Sequence, residues 1–511
     1  MKIALLADTH LSDLENTPQE EALDWALREV RELSPDACVW LGDITACGSP
    51  DAALRFLRKI SEADCPSVVV PGNSDLRTKD TAPMMSRFLF NYPLGLFLGD
   101  LHIIGFDNAR DKILPEERER LLRLQTGDRI LLCSHEPVQY MDADSGEFIG
   151  RWIADLRRAG KEVLLWASGH RHVHQETELD GTPVVSVCAL DLDKCRNGSA
   201  EILLWDSDTG LFEQREYPFD PRTEWSEEER QELADSLGIT CYNRSKVERD
   251  MPFAIQNRVR HLEWRRIGEG DLALLEQWRR AGGETFSLHM SALNYENGVI
   301  GGEELIRSAK DAVRAGADMI TVHPPQIPYA DMRIGLPAFE ATADAMAEAF
   351  LPVVEAGIDI LVENNHTDHD TPDMPDRIPY GCSPIDVVGW RNALNERLGK
   401  NACHLRLDVG HARNNQPLSK AYPIGKWYAS IGGETRAYHL HQTVHDKTLN
   451  RMSNHHPILG WHNGFVAFDG FLWAWRKGIL RHGPVILEIR EGEGAPATWL
   501  RLRELLLGDG E

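Results

Sequence analysis

The chain has 511 residues, with 55 lysines and arginines against 80 aspartates and glutamates, so its net charge is −25. At roughly 100–200 residues per domain, this length predicts two to four domains, or two if one is a barrel. With 42% apolar and 26% charged residues, the composition excludes disordered, collagen-like and disulfide-scaffold proteins. The acidic balance argues against non-specific coating of nucleic acid or anionic membranes. The chain also has 20 histidines, and histidine is the commonest metal ligand.

The N-terminus predicts neither a secretion signal nor a membrane anchor. Residues 1–8 resemble a first strand that ends on a polar residue, and no apolar run approaches the roughly 18 residues of a membrane span. The nine cysteines are scattered and form no C-x-x-C pair. We therefore expect buried thiols in a reducing, cytoplasmic compartment.

The first 217 residues alternate short β-branched runs with amphipathic helical stretches, which is the pattern of an α/β layer sandwich. The predicted strands are 2–7, 37–41, 67–70, 101–105, 129–133 and 162–167, followed by hairpin-like segments at 176–190 and 200–216. A segment with two prolines, 218–222, breaks this pattern, and an acidic helical stretch follows it. We therefore predict a linker over 218–235.

Residues 236–508 repeat one strand followed by one helix. The predicted strands are 238–242, 261–265, 285–289, 319–323, 358–363, 404–408, 437–441 and 485–488. This number of units in about 270 residues predicts a (β/α)8 TIM barrel. The predicted fold class is therefore α/β, with an N-terminal sandwich and a C-terminal barrel.

Five motifs in the first domain place oxygen and imidazole ligands directly after predicted strands. They are Asp8-Thr9-His10, Gly42-Asp43, Gly72-Asn73-Ser74-Asp75, Ser134-His135-Glu136 and Gly169-His170-Arg171-His172. Any one motif has a structural alternative, since Asp8 and Asp43 could cap helices and His135 could be a core histidine. The five together favour a compact two-metal site at the mouth of a sheet.

These motifs resemble the D-x-H, G-D, G-N-H-D/E, H and G-H-x-H blocks of the calcineurin-like metallophosphoesterase family. The resemblance implies two divalent metals, Mn, Fe or Zn, with these ligands: Asp8, His10 and His172 for one, Asn73, His135 and His170 for the other, and Asp43 as a bridge. Two cations roughly 4 Å apart can clamp phosphoryl oxygens and lower the pKa of a water between them.

One position departs from the family pattern. Ser74 stands where the family has a histidine that stabilises the transition state or protonates the leaving oxygen. Arg171 or His174 could substitute for it, although Arg171 could equally be a solvated loop residue. The resemblance therefore gives this domain the catalytic candidates Asp43, Asn73, Ser74 and Arg171.

Ligand-type residues also end six consecutive strands of the predicted barrel. They are His289, His323, Glu363, Asp408, His439 with His441, and Glu488. The C-terminal ends of barrel strands are where catalysis occurs in this fold. His411 and the triplet Asn454-His455-His456 lie just beyond strand ends. The structural alternative is ordinary polarity of the barrel rim, with Glu488 paired to Arg490.

The motifs around these residues resemble the xylose isomerase-like superfamily over roughly 236–508, and most closely its endonuclease IV-type apurinic/apyrimidinic endonuclease branch. Among them are Leu288-His289-Met290-Ser291, Val322-His323-Pro324, Val362-Glu363-Asn364 and Asp408-Val409-Gly410-His411. The resemblance implies three metals with these ligands: His289, His323, Glu363, Asp408, His411, His439, His456 and Glu488. Asn454 stands where that branch has its remaining aspartate ligand, and it brings no charge.

The isomerase and epimerase branches of the superfamily use one metal, which here would be held by Glu363, Asp408, His441 and Glu488. In that interpretation Glu363 and Glu488 are catalytic and shuttle a proton beside a sugar carbonyl. His439 and His441 alternate along one strand and face the same way, so the residues leave both branches open. His289 and His323 favour the multi-metal branch, because a one-metal isomerase does not require both. The barrel is expected to hold one to three Zn or Mn ions.

Three functions follow from these observations. The first is a bifunctional metal-dependent hydrolase, in which a binuclear phosphoesterase is joined to a multi-metal barrel acting on a nucleotide or nucleic-acid end. The second joins the phosphoesterase to a sugar or sugar-phosphate isomerase or epimerase. The third is a binding or scaffold protein, in which Ser74 and Asn454 mark weakened sites. The expected partner is a phosphate-containing small molecule or a nucleic-acid end, and no membrane.

Overall fold

The chain forms two units, Met1–Phe219 and Asp220–Glu511. The computed structural model describes residues 1–89, 94–195, 199–217, 225–268, 270–296, 299–325, 327, 331–367, 379–399, 401–415, 418–446, 451–460, 464–466, 468–490 and 494–508. Within these ranges no helix is both long and apolar enough to cross a bilayer.

The first unit contains two β-sheets and five described α-helices. Its strands are β1 (Lys2–Leu6), β2 (Ala37–Trp40), β3 (Ser67–Val69), β4 (Gly95–Leu98), β5 (Leu101–Gly105), β6 (Arg129–Ser134), β7 (Glu162–Ser168), β8 (Gln175–Leu179), β9 (Thr182–Ser186), β10 (Glu201–Asp206) and β11 (Phe212–Glu216). Its helices are Pro18–Leu33, Pro50–Ser61, Ala82–Leu89, Pro115–Arg123 and Ala143–Arg158.

The two sheets have the strand orders β11-β10-β1-β2-β3 and β4-β5-β6-β7-β9-β8. Side chains such as Ile3, Val39, Leu131 and Ala167 meet in one buried cluster that joins the sheets. Two further clusters pack the helices against the outer faces. The predicted α/β sandwich is therefore confirmed, and β1, β2 and β3 run parallel to one another, as β6 and β7 do.

The second unit is built around a closed parallel barrel of eight strands. These are β12 (Leu237–Cys241), β13 (His261–Trp264), β14 (Thr285–His289), β17 (Met319–Val322), β18 (Asp359–Glu363), β19 (Cys403–Asp408), β20 (Thr435–Leu440) and β23 (Val485–Leu487). Two hairpins stand outside the barrel: β15 (Asn294–Glu296) with β16 (Val299–Gly301), and β21 (Gln442–Asp446) with β22 (Arg451–His456). The α-helices are Glu227–Ser236, Arg244–Gln256, Asp271–Arg280, Glu303–Ala315, Pro337–Glu355, Pro384–Leu398, Val409–Arg413, Ile424–Ile431, Phe468–Arg476 and Gly494–Leu507.

The barrel closes because β12 pairs in parallel with both β13 and β23. All eight predicted strands are present and their observed bounds differ from the predicted ones by at most two residues, so the TIM barrel is confirmed. Parallel closure brings the carboxyl ends of all eight strands to one rim. Residues that follow the strands at this rim therefore become neighbours despite large separations in the sequence.

The segment 218–235, which the sequence predicts as a linker, includes most of helix Glu227–Ser236. Ser226 and Glu229 cap this helix reciprocally, as in a capping box. Arg230 Nη1 donates to the carbonyl of Leu506 at 3.1 Å, which joins the helix to the C-terminal helix of the barrel unit. The stretch 225–235 is thus associated with the barrel, and 218–224 lies outside the described residues.

Substitution of Phe56 tests how helix Pro50–Ser61 packs on the first sheet. Its side chain is fully buried, and its ring centroid lies 5.0 Å from that of Trp40 on β2. We expect Phe56→Ala to lower the free energy of unfolding by about 3 kcal/mol, because it removes buried area and leaves a cavity. Urea denaturation followed by circular dichroism measures the change. Leu54→Ala is the matched control, since Leu54 is 45% exposed on the same helix. Equal effects of the two variants would contradict this packing.

Candidate metal centres in the two units

The ligand candidates of the first unit follow strands at one edge of the two sheets. Asp8 and His10 come after β1, and Asp43 comes after β2. Asn73 follows β3, while His135, His170 and His172 follow β6 and β7. Parallel strands thereby bring together residues that are up to 164 positions apart in the sequence.

Ligand atoms of Asp8, His10, Asp43 and His172 all lie within 4.8 Å of one another. His10 Nε2 is 3.0 Å from Asp43 Oδ2, and His172 Nε2 is 3.5 Å from Asp8 Oδ1. Burial lowers the pKa of His172, and although Asp8 acts against this, the pKa is about 4. The ring is therefore neutral near pH 7 and has a free lone pair for a cation.

A second group lies beside the first and shares Asp43. Asn73 Oδ1 is 3.0 Å from His135 Nε2 and 3.2 Å from His170 Nδ1. The second oxygen of Asp43, Oδ1, is 3.4 Å from His135 Nε2. Asp43 thus presents one oxygen to each group, which is the placement required of a bridging ligand.

Five of these residues have a left-handed backbone. Their φ angles are 55° at Asp8, 45° at His10, 50° at Asp43, 69° at His170 and 55° at His172. Non-glycine residues rarely adopt this conformation, and such strain concentrates at functional sites. Here the turn after each strand redirects the side chain toward the shared edge.

The donor set of the first unit fits divalent cations. Asp8 Oδ1 is buried and has no hydrogen-bond partner among the described residues. Burial would raise the pKa of Asp43, but His135 and His10 hold it well below its usual range. Buried anionic oxygens with few donors around them are stabilised by a bound cation.

Ser74, which stands at the position of the family histidine, and its possible substitutes Arg171 and His174 all have other contacts. The Ser74 backbone N–H donates to Asp43 Oδ1 at 2.7 Å, and its buried hydroxyl has no partner among the described residues. Arg171 donates to Gln175 and lies 5.8 Å from the centroid of the Tyr140 ring. His174 Nδ1 lies 3.3 Å from Glu201 Oε2. Ser74 therefore orients Asp43, whereas Arg171 and His174 are held by residues outside the ligand groups.

Asp191 is a neighbour of this site that the motifs do not indicate. Its Oδ2 lies 3.4 Å from His10 Nδ1, while its Oδ1 accepts a hydrogen bond from Gln19 at 2.8 Å. A carboxylate at this position favours the imidazole tautomer whose Nε2 faces Asp43. Asp191 is buried after β9 and follows no polar motif, so the sequence offers little signal for it.

In the barrel, ligand atoms form three overlapping groups. They are His289, Glu363, His439 and Glu488; His323, Glu363 and His411; and His411, His441 and His455. Glu363 belongs to the first two groups and His411 to the last two. The arrangement is therefore continuous across the rim.

The first barrel group is centred on His439. Its Nδ1 lies 2.7 Å from Glu363 Oε1 and 3.4 Å from Glu488 Oε2. His289 Nε2 approaches the other oxygen of Glu363 at 3.3 Å. Burial opposes ionisation of Glu363, but His439 and His323 hold its pKa well below its usual range. The carboxylate is thus an anionic ligand in a fully buried position.

Asp408 lies beside the third barrel group. Its Oδ1 is 3.1 Å from His441 Nε2, and the rings of His441 and His455 are 4.3 Å apart. Burial lowers the pKa of His411 well below its usual range, so the ring is neutral and can bind a cation. This group is richer in imidazole than the other two.

Two ligand sets implied by the sequence resemblance differ from the groups found in the structure. His455, not His456, joins the metal-ligand groups, because β22 has a left-handed φ of 65° at His455. His456 Nε2 instead lies 2.9 Å from Ser453 Oγ. His439 rather than His441 lies in one group with Glu363 and Glu488, whereas His441 Nε2 is 3.1 Å from Asp408 Oδ1, so the one-metal set stays a prediction.

The carbonyl oxygen of Asn454, the atom that could bind a metal, has two hydrogen-bond donors. This Oδ1 accepts hydrogen bonds from Asn414 Nδ2 at 2.8 Å and from Thr443 Oγ1 at 3.3 Å. The side chain thereby links helix Val409–Arg413 and β21 to β22. The charge that aspartate would bring is absent, and a third imidazole, that of His455, occupies the neighbouring position.

Glu263 and Arg406 lie beneath the ligand groups inside the barrel. His439 Nε2 lies 2.7 Å from Glu263 Oε1 and 2.8 Å from Arg406 Nη1, and Arg406 donates to Glu263 Oε2. All three side chains are fully buried. In the tautomer that donates from Nε2 to Glu263, the Nδ1 lone pair of His439 faces Glu363 and Glu488. Arg406 neutralises Glu263.

The donor atoms of the barrel also fit cations. His289 Nε2, Glu363 Oε2, His411 Nε2 and Glu488 Oε2 are buried and have no hydrogen-bond partner among the described residues. A core built only for stability would pair most such atoms. Bound cations would satisfy them together.

A family model described as calcineurin-like phosphoesterase matches residues 1–174. The first unit is a calcineurin-like metallophosphoesterase domain. The probable glycerophosphodiester phosphodiesterase GpdQ of Arcobacter nitrofigilis is 26% identical in an alignment of 254 residues that covers 42% of this chain and 93% of that protein. The metallophosphoesterase domain therefore agrees with the motifs found in the sequence.

Two solved structures are similar to other parts of the chain. A D-tagatose 3-epimerase-like protein is 15% identical, with 53% of this chain and 96% of that chain covered and a TM-score of 0.37. An AP endonuclease, family 2, from Brucella melitensis is also 15% identical, with 51% and 95% covered and a TM-score of 0.35. The strand order, a closed ring of eight strands, itself shows the barrel.

Glu263→Gln tests how His439 is oriented. Glutamine can donate to His439 as well as accept from it, and it leaves Arg406 unpaired, so we expect the barrel to bind metal about 10-fold to 100-fold more weakly. Metal titration of the apoprotein with a fluorescent competitor measures this affinity. Glu276→Gln is the control, because Glu276 lies on the surface of helix Asp271–Arg280. Unchanged affinity would show that Glu263 does not position the ligand.

His455→Ala and His456→Ala form a matched pair of neighbouring variants. We expect His455→Ala to release about one metal ion from the barrel, because His455 belongs to the third ligand group. His456→Ala should keep the full complement. Elemental analysis after gel filtration measures the content. Loss of metal from His456→Ala alone would restore the ligand set implied by the sequence resemblance.

Proposed function

We propose that the chain is a bifunctional metal-dependent hydrolase. Its metallophosphoesterase domain would cleave a phosphodiester or phosphate monoester, and its barrel would act with several metals on a phosphate ester of a nucleotide or a nucleic-acid end. The family of the first unit supports metal-dependent hydrolysis of phosphoesters. Fusion in one chain supports consecutive reactions on one substrate.

The placement of Asp43 between two ligand groups supports the first activity most directly. Asp8, His10 and His172 would hold one divalent cation, and Asn73, His135 and His170 the other. When bound, two such cations supply Lewis acidity to a phosphoryl group and lower the pKa of water. The left-handed turns hold the ligands in position before substrate arrives, so little reorganisation is needed.

The chain's own residues set the limits of this reaction. Ser74 fixes one oxygen of Asp43 through its backbone N–H, but its short hydroxyl is a poor general acid. Arg171 and His174 are held by Gln175, Tyr140 and Glu201. We therefore propose that the domain prefers esters whose leaving group needs no protonation.

The overlapping ligand groups of the barrel support the second activity. Glu363 and His411 each belong to two groups, and His323 and His455 extend the set beyond a single ion. One metal would leave several of these buried donors unsatisfied. A multi-metal hydrolytic site accounts for all of them.

A second candidate function is a sugar or sugar-phosphate isomerase or epimerase. Glu363 and Glu488 both lie in the first group with His439, so two carboxylates are available on one ion to move a proton. In this alternative the other two groups would be structural. A pure binding or scaffold role has less support. Buried donor atoms without partners lower the stability of the fold, and a scaffold would gain nothing from them.

The partner proposed for both units is a phosphate-containing small molecule or a nucleic-acid end. The net charge of −25 opposes broad contact with a nucleic-acid backbone, whereas bound cations would attract phosphate locally. All nine cysteines are free thiols, which supports the proposal of a reducing, cytoplasmic location.

Two variants separate the activities. With Mn²⁺ and bis(p-nitrophenyl) phosphate, Asp43→Asn should lower the turnover number at least about 100-fold, because it weakens the bridge between both cations. The metal content of the barrel should not change. Glu363→Gln should have the opposite effects, with metal lost from the barrel and turnover of this substrate kept.

Turnover and elemental analysis of the purified full chain provide both measurements. Unchanged turnover of Asp43→Asn would contradict the assignment of the bridging ligand. In the unaltered protein, one metal ion in the barrel would favour the isomerase, and two or three would favour the hydrolase.

A further inference from the structure

Cationic side chains gather on one side of the barrel mouth. Arg265 and Arg266 follow β13 directly, and Arg490 comes shortly after β23. Lys246 joins them from the neighbouring helix, with its Nζ 2.8 Å from the carbonyl of Arg490. In a chain with a net charge of −25, a local group of four cations indicates an anionic ligand.

Two of the guanidinium groups lie against one aromatic ring. The Cζ atoms of Arg265 and Arg490 are 4.8 and 4.4 Å from the ring centroid of Tyr242. Arg265 Nη1 also donates to the Tyr242 hydroxyl at 2.5 Å. Arg490 is compensated by Glu488 at 2.6 Å, whereas no ion pair is found for Arg265 or Arg266 among the described residues. Tyr242 thus orients Arg265.

A cavity of about 710 Å³ opens beside these residues. Its lining includes Tyr242, Arg265 and Arg266 and, on another wall, the metal-ligand candidate His289. Asp271 is the acidic residue of the lining, and its Oδ2 accepts the backbone N–H of Gly268 at 2.6 Å. Apolar side chains such as Val247, Ile267 and Met290 form much of the remainder. A ligand here would touch cations on one side and the first metal-ligand group on the other.

We propose that this cavity binds the phosphate group of a small phosphorylated substrate, a sugar phosphate or a nucleotide, through Arg265 and Arg266. Guanidinium groups bind phosphate oxygens in bidentate fashion and remain charged at all physiological pH values. The remainder of the substrate lies along the apolar wall and reaches His289. The inference deepens the proposed barrel activity and rests on it only for what happens at the metal-ligand end.

The size of the cavity favours a small molecule over a polymer. Sites for small ligands measure roughly 300–1,000 Å³, enough for a sugar phosphate or a mononucleotide. Arg265 would act as a specificity-determining residue, since replacing the phosphate with a hydroxyl would leave its guanidinium without an anion. Ligands that lack phosphate should therefore bind weakly.

Isothermal titration calorimetry of the metal-loaded full chain tests the proposal by measuring the dissociation constant of a phosphorylated probe. All proteins carry Asp43→Asn so that the first unit does not consume the probe, which is ribose 5-phosphate, with ribose as the comparison. Arg265→Gln should raise the dissociation constant roughly tenfold or more, because a charge-assisted contact is lost. Arg265→Lys should retain part of the affinity. Arg307→Gln is the control, since Arg307 is 67% exposed on helix Glu303–Ala315 and pairs with Glu304.

Arg266→Gln keeps the test decisive if Arg265→Gln does not fold, because Arg266 is exposed. It should weaken binding severalfold. Equal binding of ribose 5-phosphate by both glutamine variants and the control would overturn the proposal. So would tight binding of a 5′-phosphorylated oligonucleotide by a protein that does not bind ribose 5-phosphate. Because the titration measures no reaction, its result is independent of whether the barrel proves to be a hydrolase.

Discussion

Buried carboxylates and imidazoles that face one another require positive charge between them, and both units are arranged around this requirement. In the first unit Asp8 and Asp43 are almost inaccessible to solvent, as Glu363 and Glu488 are in the second. Neighbouring histidines supply part of the charge, but several donor atoms keep no hydrogen-bond partner among the described residues. The cost of burying such groups unpaired is high, so cation binding and the stability of the strand ends are linked.

The two folds meet the requirement by different means. In the metallophosphoesterase domain the ligands lie on turns, and left-handed residues such as Asp8 and His170 direct them to one edge. In the barrel, several ligands lie at the last positions of strands, where the closed sheet sets their spacing. His289, Glu363 and Asp408 are the final residues of β14, β18 and β19. The turns of the first unit therefore carry backbone strain that the barrel largely avoids, and His455 is the exception.

Much of this arrangement could be predicted from the sequence, because strand ends are local features. A run of apolar residues followed by Asp-x-His or Gly-Asp indicates both the strand and the ligand after it. The choice between His455 and His456 could not be predicted in this way, since it depends on the backbone angle of one residue in a hairpin. The residue types alone favour neither.

The contact between Glu263 and Arg406 could not be predicted from the sequence either. Each lies within a barrel strand, and 143 positions separate them. Their pairing depends on the inward direction of both side chains, which the alternation of polar and apolar residues in short buried strands does not reveal. Asp191 is similar, because its contact with His10 depends on how the loop after β9 packs beneath β1.

Glu363 and His411 each belong to two ligand groups, and this affects the order in which the barrel binds its ions. Glu363 could bind two neighbouring cations through its two oxygens, whereas neutral His411 has one lone pair and could bind only one of its two cations at a time. Occupation of one position therefore changes the ligands left for the next. The three positions then form a single linked system, in which the affinity of each depends on the occupancy of the others. Partial loading would yield intermediates whose ligand geometry differs from that of the full complement. The activity of the barrel would accordingly depend on how many of the three positions are occupied together.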